Sequence, residues 1–364
     1  MLTVEPECSS LIEIDGGMGI WRVAFAANGD YIVGGGQHGL GVWRVKDGKE
    51  MATMEARNVQ CLAVSKDGRR IAAGTYFGAV FVWDAKTFEK VFSHKDDHII
   101  LAVDFSPDST RLVVGHNHHR TRPTVWDVST RKKVLTLEQG TRVAKYSPQG
   151  DRIATATDKS VRVWDSNDGR LLVGIPVGVS PSRNAGLLWL DNHLFVVSGS
   201  TIKQLEASTG STISEWPVPG SDNNSCIALP QHGKFIAYSS NDTATFWDTS
   251  THAQLGLIEY PPAIYSIALS PDDRFLAVNG NSGKITIKSL YRVTVCIVFL
   301  WIMANLNNFF VPLVLPNRIQ HHCLVYIPPS RNLTFRSTML RSIHGSTISS
   351  RTRTRYRPQL SPRL

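Results

Sequence analysis

A repeat of about 40 residues is the feature that most constrains how this chain can fold. Five tryptophans mark one position of the repeat: Trp43, Trp83, Trp126, Trp164 and Trp247. The segments TIKQLEASTGSTI and ITIKSL place Leu205 and Lys288 at the same position of two more copies. The seven marked positions are separated by 40, 43, 38, 41, 42 and 41 residues. The chain is therefore predicted to be built from seven similar units.

A short turn upstream of each marked position gives a second, independent marker, in forms such as SKDG, SPDS, SPQG and SPDD. It recurs seven times at steps of 39 to 43 residues. In the fourth copy, the runs RVAKYS, DRIATAT, SVRVWD and RLLVGI are rich in β-branched or apolar residues and are separated by turn-forming Pro, Asn, Asp and Gly. Each unit is predicted to be a four-stranded antiparallel sheet, so the fold class is all-β.

Four copies carry the dipeptide Trp-Asp, in VFVWDAKTFEKV, PTVWDVSTRKKV, VRVWDSNDGRLL and ATFWDTSTHAQL. Together with the period, these segments resemble the WD40 (beta-transducin-like) repeat, whose copies form the blades of a β-propeller. The resemblance covers about residues 9–290 and implies a seven-bladed WD40-type β-propeller. It also implies that SLIEI, from Ser10 to Ile14, closes the ring as the outer strand of the last blade.

The resemblance assigns a structural role to the Trp-Asp positions. Their tryptophans are expected to pack between blades, and their aspartates to accept hydrogen bonds from the backbone rather than to act as acids. These structural positions are Trp43, Trp83, Asp84, Trp126, Asp127, Trp164, Asp165, Trp247 and Asp248.

Two loops around the third copy form the candidate partner-binding site. In propellers of this family, the loop between the second and third strands and the loop entering the first strand open onto the face where partners usually bind. Because Arg makes bidentate contacts with carboxylates, we expect a protein or peptide partner of acidic character. The alternative is that these are ordinary exposed loops. The candidate residues are Lys95, Asp96, Asp97, His98, His116, His118, His119, Arg120 and Arg122.

Motifs that could support catalysis or cofactor binding are incomplete. Around GNSGKIT, from Gly280 to Thr286, the upstream Val278 stands where a phosphate-binding loop needs Gly, and Ile285 stands where it needs Ser or Thr. GHNHHRTR groups three histidines without the Cys or paired carboxylates that would complete a metal site. We predict a non-enzymatic scaffold or adaptor with no cofactor and no metal. A propeller enzyme with catalytic groups from several blades is the alternative.

The charge of the chain is distributed unevenly. The net charge is +9, but residues 291–364 contain ten Arg and no Lys, Asp or Glu. Residues 1–290 therefore hold 29 basic and 30 acidic side chains, a net charge of −1, and predict no specific nucleic-acid partner. We expect a monomeric propeller at 9–290 and a separate, irregular tail at 291–364 with an Arg-rich disordered end.

Residues 293–315 of the tail carry no charged side chain and leave three hypotheses open. The 23 residues are long enough to cross a bilayer, which would make the protein a membrane-attached propeller adaptor. Asn305, Asn307, Asn308 and Pro312 argue against a membrane span. The abrupt change of composition favours a retained intron followed by out-of-frame sequence. The third hypothesis is a genuine soluble tail.

The N-terminus and the cysteines bear on the compartment. MLTVEPECSS has neither a basic start nor an apolar run typical of a secretory signal. The five cysteines are scattered and show no C-x-x-C pair. A cytoplasmic or nuclear location is expected, with membrane association as the alternative.

Overall fold

The computed structural model describes residues 10–17, 19–117, 121–138, 140–179, 186–219, 226–230, 232–260 and 263–290. All the regular secondary structure in these ranges is β-strand, arranged as seven four-stranded antiparallel sheets. We number the sheets as blades 1 to 7 in chain order. The predicted all-β, seven-bladed propeller is confirmed.

The strands of each blade are given from the innermost to the outermost. Blade 1 contains β2 (Ile20–Phe25), β3 (Tyr31–Gly36), β4 (Leu40–Arg44) and β5 (Glu50–Met54). Blade 2 contains β6 (Val59–Val64), β7 (Arg70–Thr75), β8 (Ala79–Asp84) and β9 (Lys90–Lys95). Blade 3 contains β10 (Ile100–Phe105), β11 (Arg111–His116), β12 (Thr124–Asp127) and β13 (Lys132–Thr136). Blade 4 contains β14 (Val143–Tyr146), β15 (Arg152–Ala156), β16 (Val161–Asp165) and β17 (Leu171–Ile175).

The remaining blades follow the same order. Blade 5 contains β18 (Leu187–Leu190), β19 (His193–Ser198), β20 (Thr201–Glu206) and β21 (Thr212–Pro217). Blade 6 contains β22 (Cys226–Ala228), β23 (Phe235–Ser240), β24 (Thr243–Asp248) and β25 (Gln254–Glu259). Blade 7 contains β26 (Ile264–Leu269), β27 (Phe275–Gly280), β28 (Lys284–Ser289) and the N-terminal strand β1 (Ser10–Asp15).

The N-terminal strand β1 closes the ring, as predicted from SLIEI. It pairs antiparallel with β28, with Ile14 opposite Ile285 and Ile12 opposite Ile287. Ile14 is 3% exposed and packs with Ile20 and Trp43 of blade 1. The first and last parts of the propeller are thus joined by both a hydrogen-bonded ladder and a shared apolar core.

The hydrophobic core is divided into seven clusters, and each one lies between two adjacent blades. The cluster between blades 3 and 4, for example, joins Val113 and Val125 to Ile153 and Trp164. A single blade has two apolar faces and no core of its own, so each blade is stabilised by burial against both neighbours.

The turn joining the first two strands of a blade has a recurrent hydrogen-bond pattern that explains the Ser-containing marker. In blade 2, Ser65 Oγ donates to Asp67 Oδ1 at 2.6 Å and accepts from the Arg70 backbone N–H at 2.9 Å. Gly68 in this turn has φ +71°, a conformation in which an L side chain is strained. Ser106, Ser147 and Ser270 accept the equivalent backbone N–H in blades 3, 4 and 7.

The tail at 291–364, including the apolar segment 293–315, lies outside the described residues. The anchor, intron and soluble-tail hypotheses and the proposed division at residue 290 therefore stay predictions. Within the described ranges, no helix is long and apolar enough to span a bilayer.

Candidate partner-binding site

The marked Trp position coincides with an irregularity in the hairpin formed by the third and fourth strands. The register shifts between Val82 and Trp83 in blade 2 and between Val163 and Trp164 in blade 4. Blade 5 has the same shift between Gln204 and Leu205, although it lacks the tryptophan. Such bulges bend a strand and increase its twist.

The five tryptophans differ in burial. Trp43, Trp83 and Trp164 are buried between blades, whereas Trp126 and Trp247 are half-buried. The Trp164 indole N–H donates to Thr155 Oγ1 at 2.7 Å, in a buried site. These positions contribute mainly packing.

The aspartates that follow the tryptophans accept hydrogen bonds inside the next turn. Asp84 Oδ1 accepts from the backbone N–H groups of Lys86 and Thr87, at 2.9 and 3.1 Å, and Asp84 also pairs with Arg70. The backbone N–H of Thr130 and the hydroxyl groups of Ser129 and Thr130 hold the pKa of Asp127 at about 2. Asp165 and Asp248 also accept backbone N–H groups two residues ahead. These carboxylates are therefore hydrogen-bond acceptors within their turns.

One face of the ring carries the loops between second and third strands and those leading into the next blade, and we call it the loop face. On blades 2 and 3 the backbone ties these loops together. Asp96 N–H donates to Gly78 O at 2.8 Å, and Asn117 N–H donates to Ile99 O at 3.0 Å. Gly78 has φ +81°, and a Cβ atom there would lie 2.1 Å from Asp96 O. Only glycine allows this approach.

The predicted loop residues fall into different environments on the loop face. Lys95, Asp97 and Arg122 are exposed, while Asp96 and His98 are half-buried. Positively and negatively charged side chains are thus both exposed beside blade 3. Three further candidates, His118, His119 and Arg120, lie outside the described residues.

The prediction that His116 belongs to an exposed loop is wrong. His116 ends strand β11, its side chain is 1% exposed, and its Nε2 donates to Asp96 Oδ2 at 2.9 Å. Burial lowers the pKa of His116, against the opposing effect of Asp96. His116 therefore holds the loop that contains Asp96 in place, and its buried side chain is not accessible to a partner.

An exposed aromatic pair on the loop face was missed by the sequence reasoning. Tyr76 and Phe77 occupy the turn between β7 and β8 and are 53% and 59% exposed. Their rings lie edge to face, with centroids 5.7 Å apart. The Tyr76 backbone N–H donates to Asn58 O at 2.8 Å, which fixes the turn against the preceding loop. The sequence feature that could have revealed this pair is two consecutive aromatic residues in a turn, where polar residues are usual.

A cavity of about 500 Å³ is lined by the ends of the innermost strands of blades 2 to 5 and the turns that follow them, together with Leu229 and Pro230 of blade 6. An ion pair lies there, with Lys145 Nζ 2.8 Å from Asp104 Oδ1. In the described part of the chain, no group of three His, Cys, Asp or Glu side chains could hold a metal ion. Cys61 and Cys226 are buried, and burial raises the pKa of Cys61 to about 12.

Seven four-stranded sheets in a closed ring define the molecule as a β-propeller. The family model for "WD domain, G-beta repeat" matches residues 86–128 and 131–165. The fold is similar to the β-propeller domain of Cps50 (Swd1) from Myceliophteria thermophila, with a TM-score of 0.67 and 16% identity, over 77% of this chain and 99% of that one. The chain is therefore a β-propeller in which two segments of blades 2 to 4 match the WD40 repeat.

The sequence relatives cover different extents of the propeller. Serine-threonine kinase receptor-associated protein of Gallus gallus is 24% identical over 247 residues, which are 65% of this chain and 69% of that protein. WD repeat-containing protein 1 of Mus musculus is 36% identical over 92 residues, or 24% of this chain and 15% of that protein. U3 small nucleolar RNA-associated protein 15 homolog of Xenopus laevis is 22% identical over 63% of this chain and 45% of that protein.

Proposed function

We propose that this protein is a non-enzymatic scaffold that binds protein or peptide partners through the loop face of blades 2 and 3. The exposed Tyr76–Phe77 pair carries the proposal. Consecutive aromatic side chains with more than half of their surface in solvent are costly to hydrate, and aromatics are enriched among residues that dominate binding energy. A WD40 propeller supplies the rigid frame that keeps such a turn in place.

The surroundings of the aromatic pair suggest how a partner is oriented. Lys95, Asp97 and Arg122 are exposed on the neighbouring loops, and exposed charges at an interface rim set orientation and association rate more than affinity. Arg122 and Lys95 favour an acidic segment of the partner, and Asp97 selects against a uniformly acidic one. We also propose that the propeller binds its partners as a monomer.

Affinity purification of the full chain from cells, with quantitative mass spectrometry, tests the loop face. We expect the amount of specifically bound partner protein to fall at least about tenfold in the Tyr76→Ser/Phe77→Ser variant, because each aromatic anchor contributes about 1–2 kcal/mol of binding free energy. The control is Val134→Ser/Leu171→Ser, which removes two similarly exposed apolar side chains, 48% and 42%, from outer strands. Equal loss in the two variants, or no loss in either, would overturn the assignment.

The location we propose is the cytoplasm or the nucleus. The nuclear alternative is supported by the similarity to a Xenopus laevis protein whose name associates it with U3 small nucleolar RNA. Fluorescent tagging of the chain at its N-terminus distinguishes the two compartments, and a membrane-restricted signal would contradict both.

A further inference from the structure

The face opposite the loop face carries a large cleft. It is formed by the turns that join first to second and third to fourth strands in blades 1 and 2, together with a turn of blade 7, and it encloses about 1370 Å³. The candidate loop residues at 95–98 and 116–122 do not line it. A partner bound in this cleft would leave the loop face free.

Several apolar side chains line the cleft. Met51 lies at its outer side and is 47% exposed, and Phe88 and Ile12 are half-buried there. Tyr31 also lines the cleft, and its hydroxyl group donates to Gly68 O at 3.5 Å, which links blade 1 to blade 2. These groups offer contact surface for an aliphatic or aromatic side chain.

Four exposed cationic side chains line the same cleft. They are Lys46, Lys66, Arg69 and Lys86. Within the described part of the chain, none of the four makes an ion pair, whereas Arg44 at the same cleft is bound by Asp47 at 2.6 Å. The four charges are therefore available to a ligand.

The carboxylates of the cleft are engaged within their own turns. Asp67 accepts from Ser65 Oγ and from the Arg69 backbone N–H, and Asp84 accepts two backbone N–H groups and pairs with Arg70 at 2.5 Å. Asp30 accepts from the Asn28 amide at 2.7 Å, and Asp272 accepts from Ser270 Oγ at 2.6 Å. Carboxylates held in turns project less into the cleft than long, unpaired Lys and Arg side chains.

We propose that this cleft binds an acidic peptide segment of a partner protein, with one aliphatic side chain seated against Met51 and Phe88. The chain's own residues 291–364 have the wrong charge, with ten Arg and no acidic residue. A nucleic acid would match the cations, but the aliphatic side chains of Met51 and Ile12 favour a peptide. The partner class is therefore a protein with an exposed acidic and aliphatic motif.

Fluorescence anisotropy with labelled peptides of alternating Glu and Leu tests the proposal on the full chain. We expect the Lys66→Glu/Lys86→Glu variant to bind about tenfold more weakly, because reversed charges repel the peptide. The control Lys132→Glu/Lys133→Glu makes the same charge change on exposed residues of blade 3 outside the cleft, and we expect less than about twofold loss. Met51→Ser should weaken binding while leaving its salt dependence unchanged.

Several outcomes would overturn the proposal. One is that the wild-type chain does not bind the Glu/Leu peptide, and another is that both charge-reversal pairs weaken binding equally, which would indicate long-range attraction only. Displacement of the peptide by poly-uridine at lower concentration than by unlabelled peptide would assign the cleft to single-stranded RNA. Circular dichroism and the urea midpoint of each variant establish that it is folded, and Tyr76→Ser/Phe77→Ser should bind the peptide like the wild type.

Discussion

At the residue scale, the hydrogen bond between Trp164 and Thr155 tests how a buried tryptophan stabilises the ring. Both residues are at most 3% exposed, so the indole N–H has no access to water. Thr155→Val keeps the shape of the side chain and removes the acceptor. We expect the free energy of unfolding to fall by about 2 kcal/mol, the cost of a buried donor without a partner. Urea unfolding followed by tryptophan fluorescence measures it.

A half-buried pair in the preceding blade, blade 3, provides the control. The Trp126 indole N–H donates to Thr124 Oγ1 at 2.9 Å, where water can replace the acceptor. Thr124→Val should therefore cost less than about 1 kcal/mol. Equal losses in the two variants would mean that burial does not determine how much these hydrogen bonds contribute to the free energy of unfolding.

His116 and Tyr76 mark the limits of sequence reasoning at this scale. His116 stands in the polar run GHNHHRTR, and nothing in that run shows that the strand continues through it. Its burial follows from the position of Asp96, twenty residues earlier, across the blade interface. For Tyr76 the residue type was informative, because an aromatic pair in a turn departs from usual turn composition.

At the element scale, strand β1 determines whether the ring is held closed. Ile14 packs into the cluster shared by blades 7 and 1 and is 3% exposed. We expect Ile14→Ala to lower the free energy of unfolding by about 2–4 kcal/mol, because it removes buried apolar volume and leaves a cavity. Urea denaturation of the full chain gives this value.

An exposed isoleucine on another outermost strand is the matched control for Ile14. Ile213 in β21 is 49% exposed, and Ile213→Ala should change stability by less than about 0.5 kcal/mol. If Ile14→Ala were as mild as Ile213→Ala, β1 would contribute little to closure, and the hydrogen-bonded ladder to β28 would have to be frayed in solution.

The elements themselves were largely predictable. Each strand is short, rich in β-branched or apolar residues and bounded by turn residues, so the local pattern predicts where it begins and ends. The register shift at each Trp position was not predictable from residue type, because it also occurs where Arg44 or Glu206 stands in place of the Asp. Blade 5 has the shift with Leu205, so the tryptophan does not cause it.

At the scale of the whole molecule, the two proposed binding surfaces lie at opposite ends of the same strands. Strand β7 leads from the cleft side at Arg70 to the loop face at Thr75, a separation of roughly 17 Å. Sites this far apart without shared partners act additively. We expect Tyr76→Ser/Phe77→Ser/Lys66→Glu/Lys86→Glu to bind the Glu/Leu peptide within about twofold of Lys66→Glu/Lys86→Glu, by anisotropy. A larger difference would show that blade 2 couples the two faces.

The sequence by itself determined the number of blades, because the chain repeats one period seven times. The resemblance of these repeats to the WD40 repeat implied their strand order and the closure by SLIEI. Only the tertiary structure decided which charged side chains are available. His116 is buried, the Asp84 carboxylate is engaged by its turn and by Arg70, and Lys66 and Lys86 face an apolar cleft made from separate blades. Periodicity specifies neighbours along the chain, whereas exposure and pairing depend on side chains that the closed ring brings together.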